Sequence, residues 1–469
     1  MDYYKYKLGT PLRGLLILIL LVTCADAATL NVPADYATIQ AAVNTAAAGD
    51  TILVQSGTYY ENVNVNKQLT LQGVDNGSGL PVVDAGGSGI AITLSANNCT
   101  LKGFEARNTS SGLYGIFAFS SYNTITGNIV TVNGYGIVLA NSNSNNISGN
   151  DVTGNTNFGI YLFSSSGNTI SGNTATGNTY GFNLASSSNN NTLSGNTVTS
   201  NGIGIYLSSS SSNTLSGNTA TGNNFGMYLA SSSSNTLFGN TANGNSLGIQ
   251  LSSSSGNNIS SNTANSNTNS GIYLVSSSNS NTLSGNTATG NNIGIQLLSS
   301  SSNTINGNTA TGNTNFGIYL AFSSNNTLSG NAATGSSYGI YLSSSNGNTM
   351  TGNTAISNTN FGIILASSSS NNILGNTATG NLYSIYLFSS SDNIIYLNTL
   401  NSGWSNGANN WNSTTEIAYG NATTYVGNNW SDYDGFDCDG DGIGDTPYPI
   451  AGGSDIDYHP IGGLPCLTC

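Results

Sequence analysis

Between Gly115 and Ser384 one short phrase returns a dozen times at steps of 21 to 23 residues, as in Gly159-Ile160-Tyr161-Leu162, Gly204-Ile205-Tyr206-Leu207 and Gly339-Ile340-Tyr341-Leu342. A period in this range means one supersecondary unit stacked on copies of itself, each burying its apolar face only against its neighbours. The chain is therefore a solenoid. Two apolar ladders run through it. The first is a single aliphatic per repeat, from Ile125 and Ile147 through Leu215, Leu283 and Met350 to Ile395, set in phrases such as Asn-Thr-Leu-Ser-Gly-Asn. The second is the Gly-Ile-Tyr-Leu phrase, where period-two alternation predicts Phe158, Ile160 and Leu162 on one face and Gly159 and Tyr161 on the other.

Several short strands per repeat, separated by Asn-Gly, Ser-run and Gly-Asn turns, match one coil of a parallel β-helix. Leucine-rich repeats have the same length but need a Leu-x-x-Leu-x-Leu frame and a helical or extended return segment, and here the return is Ser, Thr and Asn. Coils stack about 4.8 Å apart, so Asn173, Asn196, Asn218, Asn240, Asn262, Asn286, Asn308, Asn331, Asn353 and Asn376 form a column. Each amide is predicted to donate to the coil above and accept from the coil below.

Only 5% of residues are charged, against about 25% in an ordinary domain, while Gly, Ser, Thr and Asn dominate. The regular apolar ladders make this repetition rather than disorder. Lys5, Lys7 and Arg13 precede the apolar run Leu15 to Val22 and the small residues Ala25-Asp26-Ala27, which reads as a secretory signal peptide cleaved before Ala28. Cys24 would serve a lipid anchor, but Thr23 suits a lipobox poorly. Past the signal only Lys67, Lys102 and Arg107 are cationic, against seventeen acidic residues, which argues against nucleic acid and anionic lipid as partners. Cys99, Cys438, Cys466 and Cys469 are too few for a disulfide framework. A Cys466–Cys469 or Cys438-linked bridge is allowed in an oxidising compartment, and the terminal Cys-x-x-Cys lacks the context of a redox or metal motif.

Outside the repeat, the strand Thr29 to Val32, then Pro33 and the candidate cap Asp35, lead to a helical stretch with Ile39, Ala42, Val43 and Ala46 on one face. This is an expected lid over the first coil, whose raw sheet edge needs cover. Strands are expected at Thr51–Val54, Val63–Val65 and Leu69–Leu71. The resulting division is a signal peptide at 1–27, an N-terminal cap with irregular coils at 28–109, regular coils at 110–400 and a C-terminal cap at 401–469.

The segment Tyr36-Ala-Thr-Ile-Gln-Ala-Ala-Val43, with Gly49-Asp50-Thr51-Ile52 and Gly57-Thr58-Tyr59-Tyr60-Glu61-Asn62, resembles the opening of secreted pectin-lyase-like right-handed β-helices. The repeated coils, the segment Asn429-Trp430-Ser431-Asp432-Tyr433 and the acidic run from Asp437 to Asp445 with Pro447-Tyr448 resemble the NosD-type periplasmic copper-binding family and its cell-surface relatives. The resemblance implies an all-β, single-stranded right-handed parallel β-helix with a short N-terminal capping helix and an irregular C-terminal cap. It leaves function open, because this architecture carries lyases, hydrolases, adhesins and accessory factors alike.

Lyases and glycosidases need acid–base groups and paired carboxylates, yet between residues 108 and 391 the only carboxylate is Asp151, and Lys, Arg, His and Glu are absent. A catalytic site is confined to the early coils, from Asp75, Asp84, Lys102, Glu105 and Arg107, or to the tail. Lys102 and Arg107 read more simply as solvated strand-edge charges. Copper needs clustered His, Met or Cys. The single His459 with Cys466 and Cys469 is the remaining route, since Met227 and Met350 replace core aliphatics, so copper is not expected.

Asp437, Asp439, Asp441 and Asp445 stand at positions 1, 3, 5 and 9 of a calcium loop, with Gly442 at the turn and the Ile443 carbonyl at position 7. Tyr448 replaces the bidentate Glu, leaving Asp432, Asp434, Asp455 or Asp457 to complete the shell. Calcium here is expected to order the tail over the last coil. On the outer face, Tyr161, Tyr206, Tyr228, Tyr273, Tyr319, Tyr341 and Tyr386 form a stripe that suits sugar rings, or simply stacks for sheet stability. Sequons such as Asn98, Asn108, Asn146, Asn412, Asn421 and Asn429 permit glycosylation. The function expected is a secreted, extracellular or periplasmic protein, non-catalytic, with a structural role or one binding envelope polysaccharide or a surface protein. A polysaccharide lyase or hydrolase and a copper-delivery accessory protein are the alternatives.

Overall fold

The computed structural model describes residues 27–420 and 422–466. The expected signal peptide through Asp26, Cys24, the Asn421 sequon and Cys469 lie outside them.

The regular coils up to Asn243 each supply three strands, for instance Thr214–Ser216, Thr219–Thr221 and Phe225–Ala230. Each pairs in parallel with its counterpart one coil on, Leu215 with Leu237, Ala220 with Ala242 and Leu229 with Leu251. The result is the expected right-handed parallel β-helix. The first wall has 17 strands and the third 16; the second has nine and then continues as single-residue bridges from Thr241 to Thr377. Every member of the aliphatic ladder from Ile125 to Ile395 is at most 1% exposed. A further interior ladder, on the second wall, is small: Ala175, Val198, Ala220, Ala242 and their successors are fully buried.

The expected alternation on the third wall fails at its glycine. Pairing joins Phe158 to Tyr180 and Ile160 to Phe182 but skips Gly159, which is buried. Phe158 consequently lies with Tyr161 on the outside, their rings stacked 4.6 Å apart, while Ile160 and Leu162 point in. Gly159 is required by close approach, since a Cβ there would sit 2.5 Å from the carbonyl oxygen of Gly181 and 3.2 Å from the Ala175 Cβ. Gly172 answers a different need. Its surroundings are open, but φ is +61°, the left-handed corner that glycine enters without steric cost.

The predicted asparagine column forms as described: Asn240 Nδ2 donates to Asn262 Oδ1 at 2.9 Å and to the Leu215 carbonyl at 2.9 Å, while its Oδ1 accepts from the backbone N–H and Nδ2 of Asn218. Two parallel columns, through Asn213 and Asn235 and through Asn223 and Asn245, repeat this geometry at the other corners. A serine column, through Ser210, Ser232 and Ser254, lines one turn. Polar corners thus enter the interior with their donors and acceptors matched.

At the N-terminal end the lid is the helix Ile39–Thr45, with Ile39, Ala42 and Val43 buried. Its N-cap is Thr38, not Asp35; the Asp35 carboxylate instead accepts from the Asn31 N–H and Nδ2. Glu61 accepts from the N–H groups of Ile39 and Gln40, and Lys67 Nζ donates to the carbonyls of Val43, Asn44 and Ala46. An anion and a cation therefore complement the two poles of the helix and tie it to the coil beneath. At the other end the walls run on through Gly403–Ser405 and Asn429–Trp430 into a cap of short pairings. Among the described residues no helix is long and apolar enough to cross a membrane.

Candidate functional site

The acidic loop follows Trp430, whose indole anchors the chain in the cap. Carboxylate oxygens of Asp437, Asp439 and Asp441 lie within 4.8 Å of one another. Backbone N–H groups wrap them: Gly440 and Gly442 donate to Asp437, Asp441 to Asp439, Ile443 to Asp441, and Cys438 to Asp445. The loop opens on a cleft of about 270 Å³ lined by Asp439, Asp441, Ile443, Asp445, Tyr458 and His459. A disulfide between Cys438 and Cys466 staples the loop to the last strand.

Three of the carboxylates expected to complete a metal shell are committed elsewhere. Asp432 accepts from the Tyr448 hydroxyl at 3.0 Å, and burial followed by that carboxylate raises the Tyr448 pKa. Asp455 and Asp457 terminate two asparagine columns. Asp457 Oδ2 accepts from the N–H and Nδ2 of Asn428 and from the Trp430 indole; Asp455 accepts from Asn409 and the Trp411 indole. A carboxylate suits this end position because it only has to accept. Burial pushes the Asp457 pKa up to about 6, against the opposing pull of its Trp430 and Asn428 donors. The spacing of Asn398, Asn428 and Asp457 is irregular, which hid this arrangement from sequence reading.

The tyrosine stripe occupies the outer third wall, but as a stack. Tyr206 and Tyr228 lie 5.1 Å apart at 26°, Tyr319 and Tyr341 5.2 Å apart at 28°, and residues at the Phe158 position interleave with them, as Phe316 does with Tyr319 and Tyr338. Except at Tyr273, which pairs with Gln250 and Gln296 and has no ring partner among the described residues, ring faces meet neighbouring rings, leaving edges and hydroxyls outward. Burial raises the pKa values of Tyr161, Tyr273 and Tyr319. Asn183 Oδ1 and Gln250 Oε1, buried within the stripe, have no hydrogen-bond partner. The interleaved column had a sequence signal, the aromatic preceding most of the glycines, which strict alternation assigned to the interior.

Of the early-coil charges, Arg107 pairs with Asp84 at 3.1 Å and Glu105 at 3.0 Å, and Asp75 accepts from the N–H groups of Gly77 and Gly79 in a turn. Among the described residues copper donors do not assemble. Met227 and Met350 are fully buried on different walls, Cys99 is buried alone, and Cys466 is consumed by its disulfide. His459 stacks on Tyr425, its pKa lowered by desolvation. These residues do not fit a copper centre.

Among solved structures, the chain is similar to the Azotobacter vinelandii mannuronan C-5 epimerase AlgE6 A-module, at 17% identity over 79% of this chain and 94% of that one, with a TM-score of 0.40. It is also similar to the Yersinia enterocolitica family 28 exopolygalacturonase, at 10% identity over 66% and 75%, with a TM-score of 0.43. No curated protein matches. The family model described as "Periplasmic copper-binding protein (NosD)" matches residues 43–219, 204–315 and 294–435, and the chain therefore belongs to the NosD family.

Proposed function

We propose that this chain is a non-catalytic envelope protein, acting outside the cytoplasm, whose long neutral wall serves as a scaffold and binds polysaccharide, and whose C-terminal cap is locked by calcium. The observation that carries the first part is chemical. From Val152 to Ser391 the chain has no Asp, Glu, Lys, Arg or His, so its coils offer hydroxyls, amides and phenol edges and no acid–base pair. Such groups hydrogen-bond sugar hydroxyls but do not cleave glycosidic bonds. The stacking of the tyrosines favours edge and hydroxyl contacts over ring-face stacking on sugars. A glycan array probed with wild type and with the Tyr206→Phe, Tyr228→Phe and Tyr319→Phe triple variant tests this. Absence of any bound glycan leaves only a scaffold, and release of unsaturated products or reducing ends from uronans overturns the non-catalytic reading.

The convergence of Asp437, Asp439 and Asp441 supports calcium, with Asp445 and the Ile443 carbonyl as the further oxygen ligands. Like charges so close repel, and a hard divalent cation offsets them. Calcium at a hundredfold excess over its dissociation constant stabilises the ordered loop by about 2.7 kcal/mol. Limited proteolysis with and without chelator, on wild type and Asp439→Ala, reads this directly. Equal cleavage after Asn429 in all conditions would mean that the motif is only an acidic turn.

A further inference from the structure

The corner that leads from the third asparagine column into the third wall is one residue longer in four coils. Asn267 and Gly271, and Asn313 and Gly317, are separated by three residues, whereas Asn291 and Gly294 between them are separated by two. Two long corners therefore flank a short one. Thr268 and Thr314 stand out as exposed rims, and the recessed coil forms the floor of a notch of about 460 Å³ lined by Ser266, Thr268, Gly290, Asn291, Asn292 and Thr314. That volume falls within the roughly 300–1,000 Å³ of small-molecule sites.

The notch coincides with the one long interruption of the outer aromatic column. Phe158, Tyr180 and Phe225 before it, and Phe316, Tyr338 and Phe361 after it, give way to Leu247, Ser270 and Ile293. Ser270 is buried and donates to Gln296 at 2.8 Å. The same alternation of corner lengths recurs at Thr314 and Thr359, but there Phe316, Tyr338 and Phe361 stack across the outer wall at 5.0 and 5.6 Å. The hydroxyls of Ser266, Thr268 and Thr314 have no hydrogen-bond partner among the described residues, whereas Thr179 at a comparable corner donates to the Thr156 carbonyl. They are available to both donate and accept.

We propose that this notch is a binding site for a neutral sugar residue of a polysaccharide lying along the solenoid. The inference rests on the glycan-binding reading above and adds its position and chemical class. Neutrality follows from charge: Asp151 and Asp392 are the nearest ionisable acidic or basic residues in the sequence, and each is at least three coils away. At about 4.8 Å per coil this is roughly 14 Å or more, beyond the Debye length of about 8 Å at physiological ionic strength. A uronate would find no counter-charge. Hydroxyl and amide groups match the hydroxyls of a neutral hexose or N-acetylhexosamine.

The test uses the full chain on an array of neutral hexose, N-acetylhexosamine and uronate oligosaccharides. Wild type is compared with the Thr268→Val, Thr314→Val double variant, which keeps side-chain shape but removes both hydroxyls, and with the tyrosine-to-phenylalanine triple variant. Thermal unfolding of each confirms an intact solenoid. The expected result is binding of neutral glycans, weakened at least tenfold in the double variant, while the triple variant reports the separate contribution of the tyrosine hydroxyls. Binding lost in the triple but unchanged in the double overturns the notch and leaves glycan binding standing. Preference for uronates overturns the neutral class. No binding to any glycan overturns the notch and the glycan-binding reading together.

Discussion

Replacing Asn240 with Ala probes the asparagine columns at mid-solenoid. Asn240 is 1% exposed and takes part in four side-chain hydrogen bonds of 2.9 to 3.0 Å. Without its amide, the Asn218 N–H and one Asn218 Nδ2 hydrogen lose their acceptor, and the Leu215 carbonyl loses a donor. Buried polar groups left unpaired cost about 1–2 kcal/mol each, so the loss is about 3–6 kcal/mol, and lower where water enters the vacated space. Because each coil contacts only its neighbours, the damage should be local. Hydrogen exchange should rise at Asn218 and in the coils on either side, with the N-terminal lid unchanged, while denaturant unfolding reports the total. A loss below about 1 kcal/mol with unaltered exchange at Asn218 would refute the idea that the columns hold the corners. Asn240→Asp sharpens the test. A carboxylate can accept from Asn218 but cannot donate to Leu215 and Asn262, so it should be worse than Ala at neutral pH and recover as acid protonates it.

Gly226→Ala should cost more than Gly217→Ala by equilibrium unfolding, because a Cβ on Gly226 meets the Gly248 carbonyl oxygen at 2.6 Å whereas Gly217 has open space and only its φ of +60° to satisfy; the latter should cost about 1 kcal/mol. The Asp457 pKa is raised from 3.8 to about 6, so the folded cap holds more protons than the unfolded chain between those values and its stability falls as pH rises through the window, by about 3 kcal/mol in all. With calcium present, protease resistance of the tail should be higher at pH 5 than at pH 7, and Asp457→Asn should flatten this dependence; a flat wild-type profile would contradict it. Cysteine-to-serine replacement at 438 and 466 opens a link across 28 residues, worth about 3.5 kcal/mol of chain entropy, and should raise proteolysis after Asn429 without shifting the main unfolding transition.

The repeat period, the aliphatic ladder and the asparagine column were legible in the linear sequence, because a parallel β-helix maps identical sequence positions onto identical places in space. The convergence of the acidic loop was legible for a related reason, the spacing of its carboxylates being local. Alternation misled at Gly159, where close approach of the next coil's carbonyl overrides period two and turns Phe158 outward. The Thr38 cap, rather than Asp35, depended on where the helix begins, which one residue of chain geometry decides. What the sequence by itself determined was the solenoid and the polar, uncharged character of its walls, since both are properties of position in a repeat. Only the tertiary structure decided how the ends close, through Glu61 and Lys67 on the lid and Asp455 and Asp457 on the columns, and where unequal corners leave a notch. These depend on contacts between residues with no fixed separation along the chain, and a repeat carries no information about where it stops.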